Sequence, residues 1–365
     1  MIVVAGEVLV DLIVSAGGRV DARLGGGPYN AARTVARLGA ATTFFGGLAD
    51  DRFGRLLRGA LLAEGVAIGV PAPSAAPTTL ALVDLDQAGV ASYAFYLDGT
   101  AAADLGYPPL SAAFAAILAE ARAAAVGAGS AAAAGSAAAA AGSAAAAGSA
   151  AAAGLSADGL SADAAAPAVA VHVGALGLVM EPIGSAVERL VLADVPPDAL
   201  VMLDPNCRPG AIADRAAYLG RIGRIAARAD VVKASVDDLA YLYPGASAAE
   251  AAELLLAGGS ALVLVTDGPR PARAFLPGAT LTVEVPAVEV VDTIGAGDAF
   301  GGGFLAWWTS NGLTRSDLRR PPLVRTAVQA AAAVSAATCC RPGADPPTLA
   351  DLQGSNAWPP PNAHQ

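Results

Sequence analysis

Apolar residues recur along the chain in two rhythms. Short unbroken runs at Ile2 to Val4, Thr42 to Phe45, Val169 to Val173, Leu200 to Leu203, Val231 to Val232 and Ala261 to Val265 read as strands. Between them the spacing turns helical, and helices are predicted to start at Pro28, Arg52, Glu181, Asp214, Ala248, Ala299 and Leu323. Proline suits a first helical turn. The alternation, before Leu110 and after Pro167, is the pattern of an α/β fold with a mainly parallel central sheet. The stretch TTLALVDLDQAGVASYAFY, Thr78 to Tyr96, alternates instead about a turn near Asp86 to Gly89, which predicts a β-hairpin able to project as a lid.

From Ala121 to Ala166 the pattern collapses to GSAAAAGSAAAAAGSAAAAGSAAAAG. Alanine favours helix, but each run stops after four or five residues, short of the ~12 that an isolated helix needs. The stretch has no apolar face and cannot build a core, so it reads as a flexible insertion. The resulting organisation is a domain made of 1–110 and 167–350, with lid segments near 12–24 and 78–98. It is interrupted by a disordered Ala/Gly/Ser insertion at 111–166 and followed by a tail at 351–365.

Composition removes several function classes. No apolar run approaches the ~18 residues of a membrane span, and the opening MIVVAGEVLVDL reads as a strand with no basic leader, which points to the cytoplasm. Three cysteines and two histidines match no zinc spacing or disulfide framework. A net charge of −10 with a single lysine, Lys233, offers no basic stripe for nucleic acid. An acidic protein still binds phosphate where backbone amides and Mg²⁺ supply the positive field.

Three stretches carry candidate chemistry. In LGGGPYNAARTVARLGA, Leu24 to Ala40, Gly26 and Gly27 put bare backbone at the mouth of a helix whose first turn holds Asn30. The Asn30 amide both donates and accepts, as a sugar hydroxyl requires. In GEVLVDL, Asp11 ends the first strand, where an open parallel sheet binds ligands, and its carboxylate could accept two hydroxyls of a polyol. In VDTIGAGDAFGGGF, Val291 to Phe304, the amides of Gly295, Ala296 and Gly297 converge at a helix start and suit an anion. Asp298 there is either a helix cap or a base beside an anion site. The helix dipole would favour its ionised form, making it a proton acceptor at neutral pH. The run Gly301, Gly302 and Gly303 costs helix stability, which implies a backbone or ligand packed close. A P-loop is ruled out because Lys233 follows no GxxxxG, and GAGDAFG misplaces the third glycine of a dinucleotide fingerprint.

These residues resemble the ribokinase-like, or PfkB, carbohydrate kinases. GGGPYNAARTVARLGAATTFFGGLADDRFG is similar to that family's N-terminal signature and DTIGAGDAF to its C-terminal one. GEVLVDL, DPNCRP, KASVDDLAYLYPG and RPGADP stand in the order of fructokinase-like members. The resemblance implies a three-layer α/β/α domain with a small β-sheet lid, and ATP-dependent phosphorylation of a sugar hydroxyl. It also implies Asp298 as catalytic base and Gly295, Ala296 and Gly297 as anion hole. Asp11, Gly26, Gly27 and Asn30 would hold the sugar, Asn206 and Arg208 would lie near the phosphates or the substrate edge, and Thr266 and Gly268 would approach the nucleotide. The implied cofactors are ATP and Mg²⁺, with K⁺ as a further ion for which Asp292 matches one ligand position.

The chain also departs from that pattern. Where the family reads Asn-x-x-Glu, this sequence has Ser235 and Asp238, and the shorter acid would reach Mg²⁺ through water. In the lid, Leu97 and Asp98 stand where relatives acting on 2-keto-3-deoxygluconate carry an arginine. Arg208 alone could pair a carboxylate, but with Asp98 nearby a neutral sugar is favoured, fructose first. 2-Keto-3-deoxygluconate, ribose and an inactive sugar-sensing protein are the alternatives. Exposed lid strands offer a surface for a homodimer.

Overall fold

The computed structural model describes residues 1–15, 17–70, 72–85, 91–123, 169–354 and 357–360. The chain divides into two units, Met1–Ala113 with Ala168–Gln365, and Phe114–Pro167. In the second unit the described residues, 114–123, are helical, although the sequence reading assigned them to a disordered insertion. Phe114, Ile117 and Leu118 recur there at helical spacing among alanines, which favour helix. The remaining low-complexity stretch, and the hairpin turn at Asp86 to Gly89, lie outside the described residues.

Among the described residues of the first unit, the larger sheet has nine strands. It is built outward from β1 (Ile2–Ala5), flanked in parallel by β4 (Thr42–Phe45) and then β5 (Ala67–Ile68) on one side. On the other side run β8 (Ala170–Gly174), β9 (Leu200–Asp204), β10 (Val231–Ser235) and β11 (Leu262–Asp267), also parallel. An antiparallel pair that the apolar pattern did not reveal, β12 (Arg270–Leu276) and β13 (Ala279–Val283), closes that edge. Every residue of β1, β4, β8 and β9 is buried, as expected of strands covered on both faces in a three-layer α/β/α domain.

The helices are α1 (Gly27–Arg37), α2 (Arg52–Ala63), α3 (107–113 within this unit), α4 (Ile183–Arg189) and α5 (Arg215–Arg228), followed by α6 (Val236–Leu242), α7 (Ala248–Ala257), α8 (Ala296–Ser310), α9 (Pro321–Cys339) and α10 (Leu349–Gly354). The seven starts predicted from sequence fall within three residues of α1, α2, α4, α5, α7, α8 and α9. The short α6 was not anticipated, and α10 takes residues 351–354 out of the predicted tail.

A second, four-stranded sheet has the order β3 (Val20–Gly25), β2 (Leu9–Val14), β6 (Leu80–Leu85), β7 (Ala91–Tyr96) among the described residues. It is the lid expected from the hairpin, with one correction. Asp11 does not end the first strand of the main sheet but sits within lid strand β2. The chain leaves β1 at Gly6, whose φ of 155° and closeness to Pro28 suit only glycine: a Cβ there would lie 2.4 Å from the Pro28 ring. Asp51 ties the lid's root to the main body. Its carboxylate caps α2 through the Gly54 N–H at 2.8 Å and also accepts the Thr78 N–H (2.8 Å) and hydroxyl (2.6 Å).

The largest apolar side chains of the core gather on α8, where Phe304, Trp307 and Trp308 are wholly buried against α1 and α9. The glycine run of α8 explains how these helices come so close. A Cβ on Gly302 would stand 2.8 Å from Thr34 Cβ and 3.0 Å from the Ala31 carbonyl of α1, and one on Gly303 would stand 3.0 Å from Val334 of α9. The close neighbours of Gly302 and Gly303 are therefore helices, while Gly301 faces Met202 and His172 of the main sheet at ordinary contact distance.

Gly302→Val is expected to destabilise the fold by roughly 2 kcal/mol, because α1 is too rigid to yield to the added bulk. Gly59 of α2 meets nothing within 4 Å, so Gly59→Ala should raise stability by up to about 1 kcal/mol. Denaturant midpoints of the two variants, moving in opposite directions, check the packing account.

Candidate active site

In an open parallel sheet the ligand crevice lies beyond the carboxyl ends of the strands where the strand order reverses. Here that point is β1, from which the chain builds outward to β4 on one side and to β8 on the other. A cleft of about 490 Å³ opens there. Its floor comes from Glu7 after β1, Gly26 and Gly27 at the mouth of α1, Asn206 after β9, and Gly295, Gly297 and Asp298 at the start of α8. The lid sheet supplies Asp11, Val83, Tyr93 and Phe95, and Arg208 enters from the loop after β9.

Asp298 is the convergence point. Asn30 of α1 donates its amide to Oδ2 at 2.9 Å, and Asn206 donates to Oδ1 at 3.2 Å. Asn206 reaches it from a left-handed backbone conformation, φ 40°, which asparagine tolerates better than most residues. That turn is held by Asp238, which accepts the Cys207 N–H at 2.6 Å. Glycine at 27 leaves this pair room: a Cβ would sit tight against Ala175 Cβ at 3.0 Å, Asn206 Nδ2 at 3.1 Å and Asp298 Oδ1 at 3.3 Å.

Burial pushes the Asp298 carboxyl up to about 7, and the Asp204 carboxylate pushes the same way, against the Asn30 hydrogen bond, Lys233 and Arg208. The helix N-terminus was expected to keep Asp298 ionised. A carboxylate there gains about 0.3–1 kcal/mol, less than loss of water costs it. Glu7 is buried and accepts the N–H groups of Gly27 (3.0 Å) and Gly177 (2.7 Å). Burial nevertheless pushes its carboxyl up to about 8. Burial also raises Asp11 to about 6, with Arg208 pulling the other way.

Asp11, Gly26, Gly27, Asn30, Arg208, Asn206, Gly295, Gly297 and Asp298 all line the cleft. Ala296 does not, since its N–H turns to the Thr293 carbonyl at 3.2 Å. Asn30, read from sequence as a sugar ligand, spends its amide on Asp298 and keeps a buried Oδ1 without a hydrogen-bond partner. Ser235 and Thr266 are register partners at the ends of β10 and β11, outside the cleft lining, with Gly268 in the turn that follows at φ 55°. Asp238 is buried in a capping box on α6, its Oδ2 accepting from the Ser235 N–H (2.8 Å) and hydroxyl (2.6 Å). Asp292 accepts the N–H groups of Ile294 (3.0 Å) and Gly343 (2.8 Å) and so braces the loop leading into α8.

Sequence reasoning missed Glu7, although it stands in the quoted GEVLVDL, because nothing in the letters shows its two backbone partners. It also missed the pairing of Lys233 with Asp204, whose Nζ and Oδ2 lie 2.8 Å apart with both side chains 4% exposed. The isolation of that lysine in the sequence was the available signal.

The profile of the pfkB family carbohydrate kinase matches residues 1–171 and 191–351. A fructokinase of Rhizobium leguminosarum bv. trifolii is 31% identical, over 84% of this chain and 79% of its own. Among solved structures, the ATP-bound fructokinase from Xylella fastidiosa superposes with a TM-score of 0.75 at 25% identity, covering 97% of this chain and 98% of that one. The Vibrio cholerae O395 fructokinase with fructose, ADP and calcium ion bound gives 0.72 at 23% identity, covering 97% of each chain.

The three raised carboxyls imply a direction for stability. Asp11, Asp298 and Glu7 titrate at about 6, 7 and 8 in the folded protein, against ordinary values of 3.8, 3.8 and 4.5. The folded state therefore holds these protons more tightly than the unfolded state. Their contribution is fully present at and below the ordinary carboxylate values and is lost as pH rises through about 6 to 8. Asp298→Asn removes one titration, so the melting temperature of the ligand-free variant should fall less steeply than wild type between about pH 5 and pH 8. Parallel slopes in scanning calorimetry would contradict the elevated value at Asp298.

Proposed function

This chain belongs to the pfkB family of carbohydrate kinases, and from that footing we propose that it transfers the γ-phosphoryl group of ATP to a hydroxyl of a neutral sugar, fructose foremost. The observation that carries this reading is the Asp298 carboxylate, oriented from two sides by Asn30 and Asn206 on the floor of a lidded cleft. With a pKa near 7 it is matched to taking a proton at neutral pH.

In this mechanism Asp298 accepts the proton of the attacking hydroxyl while the backbone at Gly295 and Gly297 faces the phosphoryl group. The transition state of phosphoryl transfer is loose, so positioning and charge stabilisation do most of the catalysis. Asp11 and the buried Oδ1 of Asn30 hold sugar hydroxyls, and Arg208 serves the phosphate or the sugar's edge. Ser235, Thr266 and Gly268, at the ends of neighbouring strands, flank the nucleotide.

Mg²⁺ carried on the nucleotide would neutralise phosphate charge. Asp238, buried with both oxygens engaged by Cys207 and Ser235, would meet it only through water. Asp292 shapes the loop around any monovalent cation, since each of its oxygens already accepts a backbone N–H.

Charge argues for a neutral sugar. Near neutral pH Asp11 is largely ionised and Asp298 partly so, against one cation lining the cleft, Arg208, and a sugar acid would add a further negative charge. We place the protein in the cytoplasm, with the sugar kinases it resembles. Among the described residues no helix is long and apolar enough to cross a membrane. A second copy pairing on the lid sheet would cover Val20 and Tyr96, now 55% and 57% exposed.

The test is ADP release with Mg²⁺ and ATP against fructose, ribose, tagatose, 2-keto-3-deoxygluconate and adenosine, with and without K⁺. Fructose should be turned over fastest. A preference for the keto-acid would overturn the charge argument, and no turnover on any sugar would favour the sensing alternative. Asp298→Asn should lower kcat by roughly 10³-fold with the sugar KM little changed; near-normal turnover would remove it as the base.

A further inference from the structure

Lys233 and Asp204 sit side by side on β10 and β9, behind the cleft floor and out of reach of solvent. A buried ion pair is a weak source of stability, because removing two charges from water costs about as much as their attraction returns. A pair of apolar side chains would fill that place at least as well. The position of the pair explains its presence better.

A Cβ on Gly297 would stand 3.0 Å from Lys233 Nζ, so the ammonium lies against the first turn of α8, one residue before Asp298. Asp204 begins the loop that carries Asn206 to Asp298, and its second oxygen, Oδ1, is buried without a hydrogen-bond partner. Asp204, Asn206, His172 and Asp298 line one crevice with no room for a water molecule. Charges in such a dry place act on one another with little screening.

We propose that the Lys233–Asp204 pair is a positioning element that sets the protonation of Asp298 from behind, the lysine favouring the carboxylate and the aspartate opposing it. The proposal rests on Asp298 being the base. The groups facing Asp298 are Glu7 from the turn after β1, Asp204 from β9, Arg208 from the following loop and Lys233 from β10, with the neutral amides of Asn30 and Asn206. His172 on β8, behind them, is held neutral by burial and by Lys233, its pKa lowered to about 3. Lys233 is therefore the buried cation of the set, and Arg208 the exposed one.

The experiment is the pH profile of kcat for wild type, Lys233→Met, Asp204→Asn and the double variant, each checked for folding by thermal melt. The rate falls as pH drops through the Asp298 pKa. Asp204→Asn should move that acid limb to lower pH, and Lys233→Met on the Asp204→Asn background, where no lone carboxylate is left to take up a proton, should move it back up by about one unit, with sugar KM unchanged in both. Lys233→Met alone leaves a lone buried carboxylate and risks the fold, so the double variant carries that arm of the test. A merely structural pair would lower activity without opposite shifts, and a limb that stays fixed in folded variants would overturn the proposal. A wild type that phosphorylates sugar without any acid limb would overturn the assignment of Asp298 as base, and the proposal with it.

Discussion

Asp298 is gripped by two amides, Asn30 from the first helix and Asn206 from the loop after β9. This double hydrogen bond closes a circuit through the main sheet. Asn30 stands where it does because α1 starts at a glycine pair beside Glu7, and Asn206 because Asp238 pins the turn behind it. Asp298 itself is placed by α8, whose glycines let α1 and α9 lie almost in backbone contact. Loosening any of the three would let the carboxylate rotate.

The site also works against its own electrostatics. Three carboxyls line a cleft with one arginine, and none has the solvent it would need to ionise freely. Glu7 takes its two hydrogen bonds from backbone N–H groups, which organises the glycine loop at the mouth of α1. The cost is a protein that is less stable at the pH where its base is ready to act, a common relation between active sites and folding stability.

Much of this was legible in the letters. The strand runs and helix starts gave the α/β alternation because buried parallel strands are apolar throughout and helices announce themselves by spacing. The motifs around Asn30 and Asp298 marked two walls of one site although 268 positions separate them. Other features were hidden for physical reasons. Asp11 was assigned to the wrong sheet because a strand that crosses from core to lid changes partners without changing composition. The direction of the Asp298 shift was misjudged because a helix terminus can be read from sequence while burial cannot. Ala296 was read as part of the anion hole, but its N–H turns to the Thr293 carbonyl, a local bond that the letters do not show.

Lys233 carries a further consequence beyond the cleft. It is the only lysine in the chain and it is enclosed. The folded protein therefore shows no side-chain amine at its surface, and at neutral pH the positive side chains it turns outward are arginines. Reagents and enzymes that acylate lysine, and proteases that must dock a lysine to cut, find no lysine handle on it until it unfolds.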